Sequence, residues 1–236
     1  MRQSKNERAK ACIIKNCLFG LFGAAVMICL AVSITVWFRP LYYFDIGYLQ
    51  IPQMSGVSAE LCRLNYDTLI DYNVLGGSEI LAFPTMKMSE SGTIHFEEVK
   101  QIFVVMQILA LAGLAAFAVF LFQNRKCLKR KAPPRKDVLE IFRWMHCAVI
   151  LTLGLGAVVL LATFIDWEGA FAMMHSIFFD NDYWLFDPQT DPIITILPDT
   201  FFLHCGLLIL CLIALFCAGL EILYRKARNN DGKSHI

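Results

Sequence analysis

Four uncharged apolar segments constrain the fold of this chain more than any other feature of its sequence. They are Leu18–Phe38, Ile102–Phe122, Trp144–Ile165 and Phe201–Leu220. Each has about the 20 residues that an α-helix needs to cross roughly 30 Å of hydrocarbon at about 1.5 Å per residue. Because 57% of the residues are hydrophobic and only 17% are charged, a soluble domain is excluded. The sequence therefore predicts an all-α transmembrane protein with four membrane-spanning helices.

The basic residues predict how the four spans are oriented. The two tails and the connection between spans two and three hold 17 of the 21 Lys and Arg residues. Cytoplasmic segments carry such an excess, so we expect a multi-pass membrane protein with both termini in the cytoplasm. The predicted segments are a basic cytoplasmic tail (1–17), span one (18–38), an outer loop that forms a cap (39–101), span two (102–122), a basic cytoplasmic hairpin (123–143), span three (144–165), a second outer loop (166–200), span four (201–220) and a cytoplasmic tail (221–236). The basic segments suit contact with lipid headgroups, and nothing supports a nucleic-acid partner.

The nine cysteines do not predict a disulfide framework. On this topology only Cys62 lies in an outer loop, and one cysteine cannot form an intrachain bridge there. The absence of a Cys-x-x-Cys motif argues against a thiol oxidoreductase. We also expect the first apolar segment to be a span and not a cleaved signal peptide, because no small-x-small site follows Phe38.

Outer loop one is long enough to hold a small cap of its own. The apolar residues of Leu61–Tyr72 share one helical face, which predicts a short amphipathic helix that ends at Gly76–Gly77. The apolar run Ile80–Phe83, before Pro84, is expected to be a strand or an extended segment. Loops of this length that lack structure are uncommon and often functional.

The end of outer loop one carries the first candidate site residue, His95. We expect Thr93 to cap a helix that continues into span two, with His95 close to the membrane surface. Glu98 follows His95 by three residues, and this spacing places a carboxylate where it is expected to orient the imidazole. An ordinary interfacial histidine at a helix start is the alternative reading of this stretch.

Outer loop two carries the second candidate, His175. The stretch Phe171–Phe202 combines one histidine with five aspartates, three prolines and a block of aromatic residues. We expect a helix near the interface around His175 and a turn at Asp180–Asp182, followed by aromatic residues at headgroup level. The acidic turns lack the spacing of a calcium-binding EF-hand, so no metal is expected.

The two outer-loop histidines become informative as a pair. Imidazole has an unperturbed pKa of about 6.5, which suits proton transfer near neutral pH, and two such groups at one lipid interface can act as base and acid. No Gly-x-Ser-x-Gly, His-Glu-x-x-His or Gly-rich phosphate loop offers a competing chemistry. We therefore expect His95 and His175 to share one catalytic site.

Two stretches of the chain resemble a known family. They are Ser91–Phe103 (SGTIHFEEVKQIF) and Met174–Phe202 (MHSIFFDNDYWLFDPQTDPIITILPDTFF). The second is specific in its order: a histidine, a Phe-Phe pair, a tryptophan, Asp-Pro, and a proline before a closing Phe-Phe. With NYDTLIDYN in outer loop one and the four spans, they make the chain similar over nearly its whole length to the lipoprotein intramolecular transacylase (Lit) family of Gram-positive bacteria.

The resemblance implies an acyl shift within one substrate molecule. Such an enzyme moves the sn-2 acyl chain of a diacylglyceryl-cysteine lipoprotein to that protein's own α-amino group, which gives an N-acyl lyso-lipoprotein. The family's catalytic histidines map by motif to His95 and His175, with His175 favoured as base and His95 as acid. No cofactor is expected, because acyl donor and acceptor belong to one molecule. The resemblance also implies a bacterial cell membrane as the location, with the site at its extracytoplasmic face, and diacylglyceryl lipoproteins and the lipid bilayer as partners.

Further residues are expected to support the site, with interfacial anchoring as the alternative for each. Phe178, Phe179 and Trp184 are expected to line an acyl groove, and Lys100 to contact an ester or peptide carbonyl. The remaining supporting residues are Phe96, Glu98 and Asp191. Glu98 stands where the family's His-Phe-x-Asp-Val-Lys pattern has aspartate.

Two other functions remain open at this point. A four-span scaffold or adhesion protein would use the outer loops as a binding surface, but such proteins usually carry paired outer cysteines. Another lipid acyltransferase, or a lipid hydrolase, would use the same two histidines. A channel or transporter is disfavoured, because ionisable residues that mark transport paths are nearly absent from the spans.

Overall fold

The computed structural model describes residues 2–125 and 135–229, and within these ranges the chain is helical with no β-strand. Residues 126–134 of the predicted basic hairpin (123–143), with Pro133–Pro134, and residues 230–236 of the C-terminal tail lie outside the described residues. The helices, in chain order, are α1 (Arg2–Trp37), α2 (Pro40–Tyr48), α3 (Ile51–Ser55), α4 (Ala59–Asn73), α5 (Glu90–Gln123), α6 (Arg135–Ile165), α7 (Trp167–Phe178), a 3₁₀-helix (Pro192–Ile196) and α8 (Asp199–Asn229).

Four of these helices are long and apolar enough to cross a membrane. The candidate spans are Lys10–Trp37, Glu90–Gln123, Ile141–Ile165 and Asp199–Lys226, each with a mean hydropathy of 2.5 or 2.6 in its most apolar window. The predicted four-span, all-α transmembrane fold is confirmed. The chain is thus a multi-pass membrane protein.

Helix α5 is longer than a membrane requires. Its 34 residues extend over about 51 Å, whereas about 20 residues cross the hydrocarbon core. All the charged residues of α5 lie between Glu90 and Lys100, so this polar first third is the part that extends beyond the hydrocarbon. His95 lies within it.

The described chain divides into two compact units. One comprises Met1–Leu30, Leu109–Val158 and Cys211–Ile236, and the other comprises Ala31–Ile108 and Val159–Leu210. In the first unit, Gly20 and Gly23 of α1 contact α6 so closely that a Cβ at either position would lie within 3 Å of Cys147 or Trp144. Glycine is therefore required at both positions for this helix packing.

The second unit contains the cap, which is built from both outer loops. Its core stacks Tyr42 of α2 on Tyr66 of α4 at 3.9 Å between ring centroids, with Phe201 of α8 edge-on to both. Each such aromatic pair contributes about 0.5–1.5 kcal/mol beyond its burial. The buried Tyr42 hydroxyl donates to the carbonyl of Ile196 at 2.8 Å, which joins the two loops. Burial raises the pKa of Tyr42 and of Tyr66, so both phenols stay neutral donors.

The short elements of outer loop one agree in part with those predicted from the sequence. The amphipathic helix is present as α4, and the Ser58 hydroxyl caps it by accepting the N–H of Leu61 at 3.3 Å. Gly76 follows in a turn at a φ of +79°, which favours glycine. The run Ile80–Phe83 forms no strand; it is an irregular segment in which Leu81 is buried and Ile80 is exposed.

Candidate active site

His95 lies one and a half turns into α5, which begins earlier than the sequence predicts. Ser89 is the capping residue, because its hydroxyl accepts the N–H of Gly92 at 2.9 Å. The prediction of Thr93 as N-cap is wrong: its hydroxyl instead donates to the Ser89 carbonyl inside the first turn. His95 is buried, at 5% exposure.

His175 lies near the end of α7, the helix that follows α6. Asp166 caps α7 by accepting the N–H of Gly169 at 2.9 Å. The Nδ1 of His175 lies 2.9 Å from the carbonyl oxygen of Phe171, one turn earlier. Since a carbonyl only accepts, Nδ1 carries the proton in the neutral ring, and the lone pair is on Nε2. In this neutral tautomer the Nε2 of His175 is free to accept a proton.

The structure brings the two histidines together. Their ring centroids are 6.0 Å apart and the rings are inclined by 32°. Phe179 lies against both, with its centroid 4.8 Å from His95 and 5.7 Å from His175. Trp184 stacks on His175 at 4.5 Å, and Phe186 packs edge-on to His95 at 5.4 Å. The pair thus lies in an aromatic pocket that excludes water.

Burial sets the charge state of this pocket. It lowers the pKa of His175 below its ordinary value because the charged imidazolium is poorly solvated there, and the hydrogen bond to Phe171 offsets this only in part. His175 is therefore neutral at neutral pH. The buried Nδ1 of His95 has no hydrogen-bond partner within the described part of the chain. An imidazole nitrogen buried without a partner is costly, and it is available to a substrate group.

Two supporting residues have partners other than those expected. Among the described residues Glu98 makes no hydrogen bond to His95; both its oxygens accept from the side-chain amide of Asn181, at 3.0 and 3.2 Å. The prediction that Glu98 orients His95 by a hydrogen bond is wrong, because Asn181, in the loop after α7, donates to both carboxylate oxygens instead. Lys100 donates to the Ser78 carbonyl and lies 4.2 Å from the centroid of the Tyr72 ring, where it is directed to outer loop one.

Of the aromatic residues predicted to support the site, some contact the histidines and one is exposed. Phe179 and Trp184 line the pocket as described above, whereas Phe178 is 56% exposed and lies at the last position of α7. Phe96 is buried beside the site and stacks on Phe186 at 5.3 Å. The pocket therefore uses one ring of the Phe178–Phe179 pair.

Asp191 connects outer loop two to the start of α5. It is 2% exposed, and its Oδ1 accepts the backbone N–H of Ser89 at 2.7 Å. Its Oδ2 accepts the hydroxyl of Thr190 at 2.7 Å. A Cβ at Gly92 would lie 2.3 Å from Oδ1, so only glycine permits this approach. The loop that covers His95 is thereby fixed at its far end.

Sequence reasoning missed the partners of several of these groups. Phe171 is four residues before His175 on one helix, a spacing that identifies it as a candidate partner. Asn181 and Phe186 have no comparable helical spacing to Glu98 or His95 that would identify them as partners. The fully buried Asp45 of α2 accepts from Nδ1 of His204 at 2.9 Å with both oxygens, a pair that joins positions 159 residues apart.

Comparison with known proteins identifies relatives of this arrangement. The family model described as "Lipoprotein intramolecular transacylase Lit" matches residues 17–202. No curated protein sequence matches the chain. The in meso structure of the membrane integral Lit from Bacillus cereus superposes with a TM-score of 0.81 at 29% identity, covering 96% of this chain and all of that one. A variant of that protein with a histidine replaced by arginine gives a TM-score of 0.79 at 28% identity, covering 99% of this chain and 99% of that one. A variant with the histidine replaced by alanine gives 0.76 at 28% identity, covering 98% of this chain and all of that one.

Proposed function

Because this chain belongs to the lipoprotein intramolecular transacylase family, we propose that it moves the sn-2 acyl chain of a diacylglyceryl-cysteine lipoprotein to the α-amino group of the same cysteine. It is an acyltransferase, and family membership excludes the scaffold alternative. The product is an N-acyl lyso-lipoprotein. One observation carries the proposal: the buried pair of His95 and His175, with ring centroids 6.0 Å apart and His175 held as a proton acceptor.

The proposed reaction balances without water or a cofactor. The α-ammonium first loses a proton, and the free amine attacks the sn-2 ester carbonyl. The resulting C–N bond becomes an amide as the C–O bond to glycerol breaks. The nitrogen gives up two protons in all: one goes to the departing glycerol oxygen and one leaves the site.

We assign these proton transfers to the two histidines of the pocket. His175 removes protons from the nitrogen, since burial lowers its pKa and its Nε2 lone pair is free. His95 returns one of these protons to the sn-2 oxygen. Burial and the neighbouring His175 lower its pKa to about 4, so its ring is neutral at rest, and it takes up a proton released by the nitrogen before it donates one. General acid and base catalysis of this kind contributes about 10²–10⁴-fold each.

The aromatic pocket supplies proximity and a dry environment. Phe179, Phe186 and Trp184 enclose the rings on the sides that the protein covers, and we place the reacting acyl chain against them. Holding amine and ester together in one molecule makes the attack unimolecular. A water-excluding pocket also favours transfer over hydrolysis of the ester.

The site is proposed to face the extracytoplasmic side. The support is the 17 of 21 basic residues in the tails and middle connection, which predicts cytoplasmic termini. His95 follows the connection between spans one and two, and His175 lies in the connection between spans three and four. Both connections are at the ends of the spans opposite to the termini. Mature diacylglyceryl lipoproteins are then presented to the pocket at the outer interface.

Mass spectrometry of the N-terminal lipopeptide of an abundant lipoprotein tests the proposal. The host makes only diacylglyceryl lipoproteins and carries the wild-type protein, His95→Ala, His175→Ala, or His146→Ala as a control histidine outside the pocket. We expect an N-acyl lyso species, equal in mass to its precursor, with wild type and His146→Ala only. Unchanged lipopeptides with well-expressed wild type would refute the transfer, and a deacylated peptide would identify a hydrolase.

A further inference from the structure

The first unit contains a cavity that the proposed reaction does not use. Its volume is about 1000 Å³, at the upper end of the roughly 300–1,000 Å³ of small-molecule sites. Residues of α1, α5, α6 and α8 line it, and nearly all are alkyl or aromatic, as with Phe22, Phe117 and Leu215. It is open on one side, since Phe22 and Leu215 of its lining are 51% and 67% exposed, so an acyl chain of the surrounding bilayer can enter it.

The polar residues of the lining lie together at one end. At the contact of α1 with α5, a Cβ on Gly113 would lie 2.4 Å from the Val26 side chain. Lys15 precedes Val26 by eleven residues, and Asn124 follows Gly113 by eleven. Consecutive spans run antiparallel, so Lys15 and Asn124 both lie about 16 Å from this contact on the same side. The cavity is therefore amphipathic along its length.

The dimensions match one leaflet of a bilayer. The lining of α1 runs from Lys15 to Leu30, which is about 22 Å of helix. Half of the roughly 30 Å hydrocarbon core is about 15 Å, which leaves room for a headgroup at the polar end. Lys15 has no ion pair with any of the side chains that the structure describes, and its positive charge suits an anionic ligand.

We propose that this cavity binds one anionic phospholipid of the cytoplasmic leaflet. The acyl chain fills the apolar part, and Lys15 contacts the phosphate, with Asn16 and Asn124 beside it. This placement rests on the cytoplasmic N-terminus proposed above but not on the transacylase reaction. Anionic lipids are enriched on the cytoplasmic side and attract basic residues next to spans.

Two glycines supply a test variant and its matched control. Gly219 of α8 lines the cavity, and a Cβ there meets no atom within 4 Å. Gly154 of α6 has equally open surroundings but does not line it. Gly219→Phe therefore fills the cavity without a backbone clash, and Gly154→Phe makes the same change on another helix of the same unit.

Native mass spectrometry of the full-length protein, with phosphatidylglycerol or phosphatidylcholine added in mild detergent, measures the binding. We expect one phosphatidylglycerol retained by wild type and Gly154→Phe, with at least tenfold less on Gly219→Phe and at least tenfold less phosphatidylcholine on wild type. Lys15→Gln should reduce the preference between the two lipids. No bound lipid, equal retention of both lipids, or full retention by Gly219→Phe would overturn the proposal.

Transacylase activity of the same samples separates this proposal from the reaction. Neither histidine of the pocket lies in the first unit, so Gly219→Phe should retain activity toward a diacylglyceryl lipopeptide. Lipid binding without any acyl transfer in wild type would refute the proposed function and leave the lipid site intact.

Discussion

Glu98 accepts two hydrogen bonds from the side-chain amide of Asn181, and so joins the helix that carries His95 to the loop that follows His175. Asp191 makes a second connection from the same loop to the start of that helix. Between these two attachments lie Phe186 and Trp184, which cover the histidines. We therefore propose Glu98 and Asp191 as positioning residues for the pocket.

Removing the Glu98–Asn181 contact should slow the reaction. A hydrogen bond to a charged group contributes about 1.5–3 kcal/mol to stability. Without it the loop no longer fixes the rings over the histidines, and because misplacement of catalytic groups is costly we expect Glu98→Ala and Asn181→Ala each to lower kcat by roughly tenfold. The double variant should be no slower than either single variant, because the two side chains form one interaction. Initial rates with a diacylglyceryl lipopeptide measure this. Glu97→Ala, an exposed neighbour on α5, is the control, and an additive double variant would contradict the account.

Gly92→Ala should destabilise the protein, although alanine normally stabilises a helix by about 0.5–1 kcal/mol over glycine. The added Cβ meets the buried Asp191 carboxylate, which must then move from Ser89. A lower Tm in detergent checks this. Gly154→Ala, where a Cβ has open space, should leave the Tm equal or raise it. Equal shifts for the two variants would show that the Asp191 contact is unimportant.

The acid side of the pH–rate profile should lie below the ordinary histidine range. The neutral form of His175 is the active base, and burial lowers its pKa, so activity persists as pH falls through 6.5 and is lost only near the lowered pKa. Trp184→Ala admits water and should raise that pKa toward 6.5, which moves the acid limb to higher pH. The α-amino group of the substrate titrates equally in both proteins, so the difference between the two kcat/KM profiles isolates His175. Superimposable profiles would contradict this assignment.

His204→Ala should affect stability and not chemistry. It leaves the fully buried Asp45 carboxylate without the ring that it contacts, which costs about 1–3 kcal/mol. We expect a lower Tm with kcat per folded molecule unchanged, in contrast to His95→Ala and His175→Ala. A loss of kcat at full stability would place His204 in the reaction.

The fold follows from the sequence because each span is determined locally. An uncharged apolar run of about 20 residues is unfavourable in water, and in lipid its backbone N–H and C=O groups need hydrogen-bond partners within the segment. A helix supplies these partners, so four such runs predict four helices. The His95–His175 pair follows from chemistry, since both outer loops carry a histidine beside Phe and acidic residues.

Side-chain partners are less predictable, because they depend on chain segments that are distant in sequence. Glu98 has the right spacing for His95, but Asn181, 83 residues later, takes both its oxygens. Thr93 is a residue type that often caps helices, yet Ser89 caps this one, and Asp191 holds Ser89 in place by accepting its backbone N–H. Phe178 and Phe179 differ by one position, and the end of α7 decides which ring faces the histidines. Such choices require the tertiary structure.

A double-label crossover experiment tests the central claim most directly. Purified protein is given a mixture of two diacylglyceryl lipopeptides, one with a heavy peptide and a heavy sn-2 acyl chain, the other light in both. The account predicts N-acyl lyso products that are only doubly heavy or only doubly light, with the sn-1 chain retained on glycerol. Mixed products would show transfer between molecules, and label remaining on glycerol would show that the sn-2 chain does not move; either result would contradict the account.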